Sequence, residues 1–97
     1  MNNIKVFKLA TGDEIIAKVV SSPENLVPNW KIKKARMIIM QQTQAGHIGL
    51  GLLPWLASNV DGEVEIYSSA LVLVPFSPDV NLENEYIQQT TGIAIAT

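Results

Sequence analysis

The residues with the most obvious chemical capacity form one run. Trp30 is followed by Lys31, Lys33, Lys34 and Arg36, four cations within six residues beside an aromatic face. Nucleic-acid phosphates would meet the cations, and a base would stack on the indole. The same run fits a strand whose lysines protect an edge, or a cationic stripe that meets Glu63, Glu65 and Glu83 across a subunit contact. Catalytic chemistry has far less to stand on. There is no cysteine and one histidine, His47, which has no flanking carboxylate. Disulfides, thiolate nucleophiles and two-histidine sites are therefore excluded. Asp13-Glu14 and Glu63/Glu65 are carboxylate pairs of the kind glycoside hydrolysis uses. The first falls in a turn, however, and the second on the solvent side of a strand. Gly46, Gly49 and Gly51 are followed by no P-loop lysine. The expectation is a protein that is not an enzyme, with no cofactor and no metal.

These residues depend on elements that the pattern of types predicts. Residues 4–9 and 14–20 read as two strands joined by the turn Thr11-Gly12-Asp13. A loop over residues 21–29 carries Pro23 and Pro28, and a third strand runs from about Lys31 to Gln42. In it Lys31 and Lys33 share parity with Met37 and Ile39, whereas Lys34 and Arg36 share parity with Ile32 and Ile38. Either a bulge intervenes or the strand begins near Lys34. Gln44–Ser58 suits a bent strand or buried loop, with Trp55 as a core or interface anchor. After the turn Asn59-Val60-Asp61-Gly62, residues 63–68 alternate. Ala70–Phe76 is apolar on both faces, as in a strand buried between layers or between subunits. Ser77 as N-cap and Pro78 at the first helical position open a short helix with Leu82 and Tyr86 on its apolar stripe, and Thr90-Thr91-Gly92 closes it. Ile93–Ala96 is a small apolar tail suited to an edge strand or to disorder. The sum is one mainly β domain over residues 1–97: about five antiparallel strands in a small, strongly bent, barrel-like sheet, plus a short C-terminal helix.

Charge is distributed unevenly. Every lysine and arginine lies at or before Arg36, so residues 1–48 carry +4 and residues 49–97 carry −6. That polarity suits head-to-tail self-association as well as nucleic acid on one side, and a pI near 5.2 favours the former. Of the 97 residues, 47% are hydrophobic and only 16% charged, against roughly 25% charged in an average globular chain, which again points to association. No apolar run approaches membrane-span length, and the first residues hold no signal-peptide apolar region. A cytoplasmic protein without a membrane partner is expected.

The first hairpin, Phe7-x-Leu9-x-x-Gly12-x-x-Ile15-x-Ala17-x-Val19, resembles the first motif of the Sm-like (LSm) family, with Ala17 where that motif usually has glycine. A looser second motif falls on Val64–Val74. The chain as a whole is similar to Sm-like proteins encoded by phages, many of them from environmental sequence. The resemblance runs through Gly12-Asp13-Glu14-Ile15-Ile16-Ala17, Met40-Gln41-Gln42-Thr43, Leu53-Pro54-Trp55-Leu56 and Tyr86…Thr91-Gly92-Ile93. It implies a bent five-stranded barrel closing into a homo-oligomeric ring, of five to seven subunits, in the host cytoplasm. In that ring the fourth strand, about Glu63–Tyr67, pairs with a neighbour's fifth, about Val72–Phe76. Val64, Ile66, Val72, Val74 and Phe76 are then the interface residues.

The family's RNA-binding positions carry different residues here. Its Asp and Asn after the second strand correspond to Pro23 and Val27, with Asn25 two residues away, and its Arg-Gly to Ser68-Ser69. Two functions follow as expectations. One is a ring that binds RNA through Trp30, Lys31, Lys33, Lys34 and Arg36, with Asn25, Ser68 and Ser69. The alternative is a structural or adaptor ring that binds a protein partner without RNA.

Overall fold

The structure, a computed structural model, describes residues 3–24, 28–42 and 44–92. Among the described residues there are five strands: β1 (Ile4–Lys8), β2 (Glu14–Ser21), β3 (Asn29–Gln42), β4 (Ile48–Pro54) and β5 (Glu63–Tyr67). A 3-10 turn at Ser68–Ala70 and one helix, α1 (Val80–Thr91), follow. All strand pairs are antiparallel in one sheet of order β1-β2-β3-β4, with β5 also on β3. The fold is thus the mainly β, five-stranded bent sheet with a C-terminal helix that the sequence predicts.

The first hairpin turns where glycine permits it. Gly12 has φ +100°, which side-chain-bearing residues rarely adopt. Bonds from Leu9 N to Asp13 O (2.8 Å) and from Gly12 N to Leu9 O (2.9 Å) close the turn.

The parity conflict in β3 is resolved by a bulge. Ile16 faces Arg36 and Lys18 faces Lys33, so Lys34 and Ala35 together oppose Ala17. Lys34 takes φ +54°, and Ala17 and Ala35, both buried, leave room for the backbones to bend there. The extra residue shifts the register of side chains. Ile32 and Ala35 enter the core inside the bend with Phe7, Leu9, Ile15 and Ile66, while Ile38 joins the opposite face with Ile4, Val6, Ile16, Leu52 and Tyr86. The left-handed conformation makes a specific prediction. Lys34→Gly should raise stability by about 0.5–1 kcal/mol, where glycine in an ordinary strand would lower it. Denaturant unfolding checks this, and a loss of stability would contradict the bulge.

Beyond the bulge, β4 and β5 lie end to end along one edge of β3. Arg36 faces Pro54 and Lys33 faces Glu63, and residues 55–62 loop out between them. Trp55 packs half-buried against the inner core, as its setting suggested. Residues 70–76 depart from the expected strand. They touch β1 through isolated bridges at Leu9–Leu71 and Val6–Phe76, with no continuous ladder. The preceding 3-10 turn and Pro75, which lacks an N–H, both interrupt pairing.

The helix also starts later than Ser77 and Pro78 imply. Asp79 is the N-cap, its carboxylate accepting from Leu82 N at 2.9 Å, a favourable place for negative charge. Gly92, at φ +74°, ends it through a bond from its N to Gln88 O, as the Thr90-Thr91-Gly92 signal predicts. The tail from Ile93 onward lies outside the described residues. Tyr86 pins α1 to the bulge by donating to Lys34 O at 2.8 Å. Burial pushes its hydroxyl up to about 12, against a smaller opposite pull from the Arg36 guanidinium. The folded state therefore favours the neutral phenol. Its contribution is complete below pH 10 and is lost between about pH 10 and 12, where the unfolded chain ionises first. Tyr86→Phe should cost about 1 kcal/mol at neutral pH and flatten that alkaline decline in unfolding free energy. An equally steep decline in the variant would contradict the assignment.

Candidate interface site

The cationic run is divided by the bulge. Arg36 is 6% exposed and turns to the helix side. Its Nη2 donates to Asp61 Oδ1 at 2.7 Å, Nη1 to the carbonyls of Ala35 and Val60, and Nε to Gln89 Oε1 at 3.1 Å. All three nitrogens are engaged within the chain. The group ties the 55–62 loop and α1 to β3, so it does not join the predicted phosphate-binding set. Lys31 and Lys33 lie directly across from Glu65 and Glu63 on β5, a register that offsets their charge within one molecule. Two of the three acidic partners expected from another subunit, Glu63 and Glu65, thus sit beside these lysines in the same chain. Lys34 stands at the bulge and, with Lys18, lines a cavity of about 310 Å³ beside the C-terminal half of α1.

Trp30 is half-buried, set edge-on to Phe7 with ring centroids 5.4 Å apart at 82°. Its outer side lines an open cavity of about 370 Å³ with Ser68 and Leu71–Pro75. Residues expected in two separate sites therefore meet around one cavity: Trp30 and Ser68 from the nucleic-acid set, and Val72 and Val74 from the interface set. Among the described residues no lysine or arginine lines it. Ser68 Oγ donates to Pro28 O at 2.6 Å, which fixes the corner, and Ser69 is exposed. Asn25 lies outside the described residues.

The expected interface residues also separate. Ile66 is buried and Val64 packs against the inner core, because alternation along β5 points both inward. Val72, Val74 and Phe76 stand 58%, 85% and 45% exposed. Leu73, 54% exposed, belongs with them. A further apolar surface is not among the expected sites: the β3–β4 ribbon exposes Met40, Ile48 and Leu50. The signal was present, since apart from His47 no ionisable residue occurs between Arg36 and Asp61.

His47 is exposed immediately before β4. Glu14 of the first carboxylate pair meets Lys8 at 3.4 Å on the surface, a contact of small energetic weight. Among the described residues no group of three His, Cys, Asp or Glu side chains is placed to hold a metal ion. No helix among them is long and apolar enough to cross a membrane. No family model matches the chain, and no curated protein matches it.

Proposed function

We propose that the chain is an Sm-like module that assembles head to tail into a homo-oligomeric ring and serves in the cytoplasm as an adaptor for a protein partner. One observation carries this reading. The segment Leu71–Phe76 holds β1 only near its two ends, while Val72, Leu73 and Val74 between them stand 58%, 54% and 85% exposed beside the Trp30 cavity. Such an edge invites another chain. The edge of β4 and β5 that faces away from β3 pairs with no other strand among the described residues. Two open edges on one molecule form a heterologous contact, which closes into a ring when the rotation between copies permits. Covering the three aliphatic side chains contributes on the order of 3–5 kcal/mol per contact before the cost of association.

RNA binding is the second reading, and the indole facing an open cavity favours it. Against it stand the internal engagement of Arg36 and the absence of cations around that cavity. Sedimentation velocity on protein purified without nuclease tests both. A single species several times the monomer mass, free of nucleic-acid absorbance, is expected. A monomer at all concentrations would overturn the assembly. Co-sedimenting RNA released by salt would favour the second reading.

A further inference from the structure

Beyond Met37, β3 parts from β2. The β2–β3 register ends at Ile15–Met37, whereas β3 continues to Gln42, paired among the described residues with β4 alone. Where β2 ends, residues 37–40 of β3 line a groove of about 430 Å³. Its apolar lining includes Ile38, Met40, Leu50, Phe76 and Leu82. The charged residues among its lining are all acidic: Asp13 and Glu14 at the first hairpin, and Asp79 at the start of α1. An adjoining hollow of about 330 Å³ adds Glu85. Glu14 shares its charge with Lys8, and Asp79 caps α1.

From this geometry we infer that the groove receives an extended segment of a partner protein, added as a strand along residues 38–42, with alternating apolar side chains and flanking lysines or arginines. Three features fit that occupant. The strand edge supplies main-chain hydrogen bonds. Met37 and Met40, on opposite faces of β3 and both in the lining, give adaptable apolar contacts on either side of that edge. The acidic rim selects cationic flanks and disfavours anionic ones. The inference rests on the adaptor reading, since it names the partner's chemistry. The groove and the Trp30 cavity share no lining residue, although Phe76 at the end of the Leu71–Phe76 segment borders the groove, so the two are tested separately.

The probe is a fluorescein-labelled peptide, Lys-Lys-Val-Thr-Val-Thr-Val-Lys-Lys, titrated with the intact protein and followed by anisotropy. A matched peptide carries glutamate at each lysine. The lysine peptide should bind at least tenfold more tightly than the glutamate peptide. Met40→Glu and Leu50→Glu, both at exposed positions (73% and 49%), should each weaken it at least tenfold without changing the far-ultraviolet circular dichroism. Equal binding of the two peptides, no binding, or indifference to both substitutions would overturn the inference. A changed subunit number in Met40→Glu would overturn it too, because the groove would then be a contact between copies. Failure of the ring shows in the sedimentation of the parent protein, whatever the peptide does.

Discussion

Asp61→Ala should destabilise the protein by about 2–3 kcal/mol, and by more than Arg36→Met does. The pair is asymmetric: the Arg36 side chain is 7% exposed and the Asp61 side chain 58%. Removing Asp61 leaves a guanidinium enclosed between β3, the 55–62 loop and α1, with only neutral acceptors from Ala35, Val60 and Gln89. Breaking a buried ion pair from one side costs about 3–5 kcal/mol. The open side of Asp61 admits water to the vacated position and brings the cost down. Arg36→Met removes the charge itself and keeps much of the packing volume. It loses the hydrogen bonds but leaves no uncompensated cation, and should cost about 1–2 kcal/mol. Equilibrium denaturation of both variants checks the order. If Arg36→Met were the more damaging, hydrogen bonding and packing would outweigh charge at this position.

If copies assemble through the Leu71–Phe76 edge as proposed, the double substitution Val72→Glu with Val74→Glu should convert the proposed assembly to monomers. Each proposed contact would then carry two carboxylates in place of aliphatic side chains, and desolvating them costs more than the contact gains. Both positions are exposed in the isolated chain, so the monomer itself should keep its stability to within about 0.5 kcal/mol. Light scattering coupled to size-exclusion chromatography, together with a thermal melt, reads the two effects separately. A variant that stays assembled would remove this edge from the interface. Ile66, expected in the same interface set, fills the inner core, so its replacement would lower stability rather than association alone.

Local signals carried much of this architecture. The Thr11-Gly12-Asp13 turn, the alternation of residues 63–68 and the glycine that ends α1 depend on nearby backbone geometry, which residue type reports directly. The two-sided parity of β3 also flagged its bulge, although only the pairing with Ala17 shows which residue adopts φ +54°. Other features depended on partners distant in sequence. Arg36 reads as one of four cations, yet its environment is set by Asp61 and Gln89, 25 and 53 residues away. Lys31 and Lys33 look like phosphate ligands until β5 brings Glu65 and Glu63 across from them. The run Ala70–Phe76 has strand-like composition, but Pro75 and the 3-10 turn break its ladder and leave its middle exposed.

The division of the candidate site has the same origin. Trp30 and Ser68 were linked to nucleic acid, and Val72 and Val74 to subunit contact. They share one cavity because the chain turns back at Ser68–Ala70 and lays the following segment beside the start of β3. A cavity with a tryptophan wall, aliphatic lips and no cation suits an apolar anchor better than a phosphate chain.

Native mass spectrometry on the protein as purified, without nuclease, tests the central claim most directly, because it reports subunit number and retained mass together. A closed ring of five to seven subunits with no added mass is the expected result. A monomer would contradict the claim, since the exposed Val72–Val74 edge would then have no partner among copies of this chain.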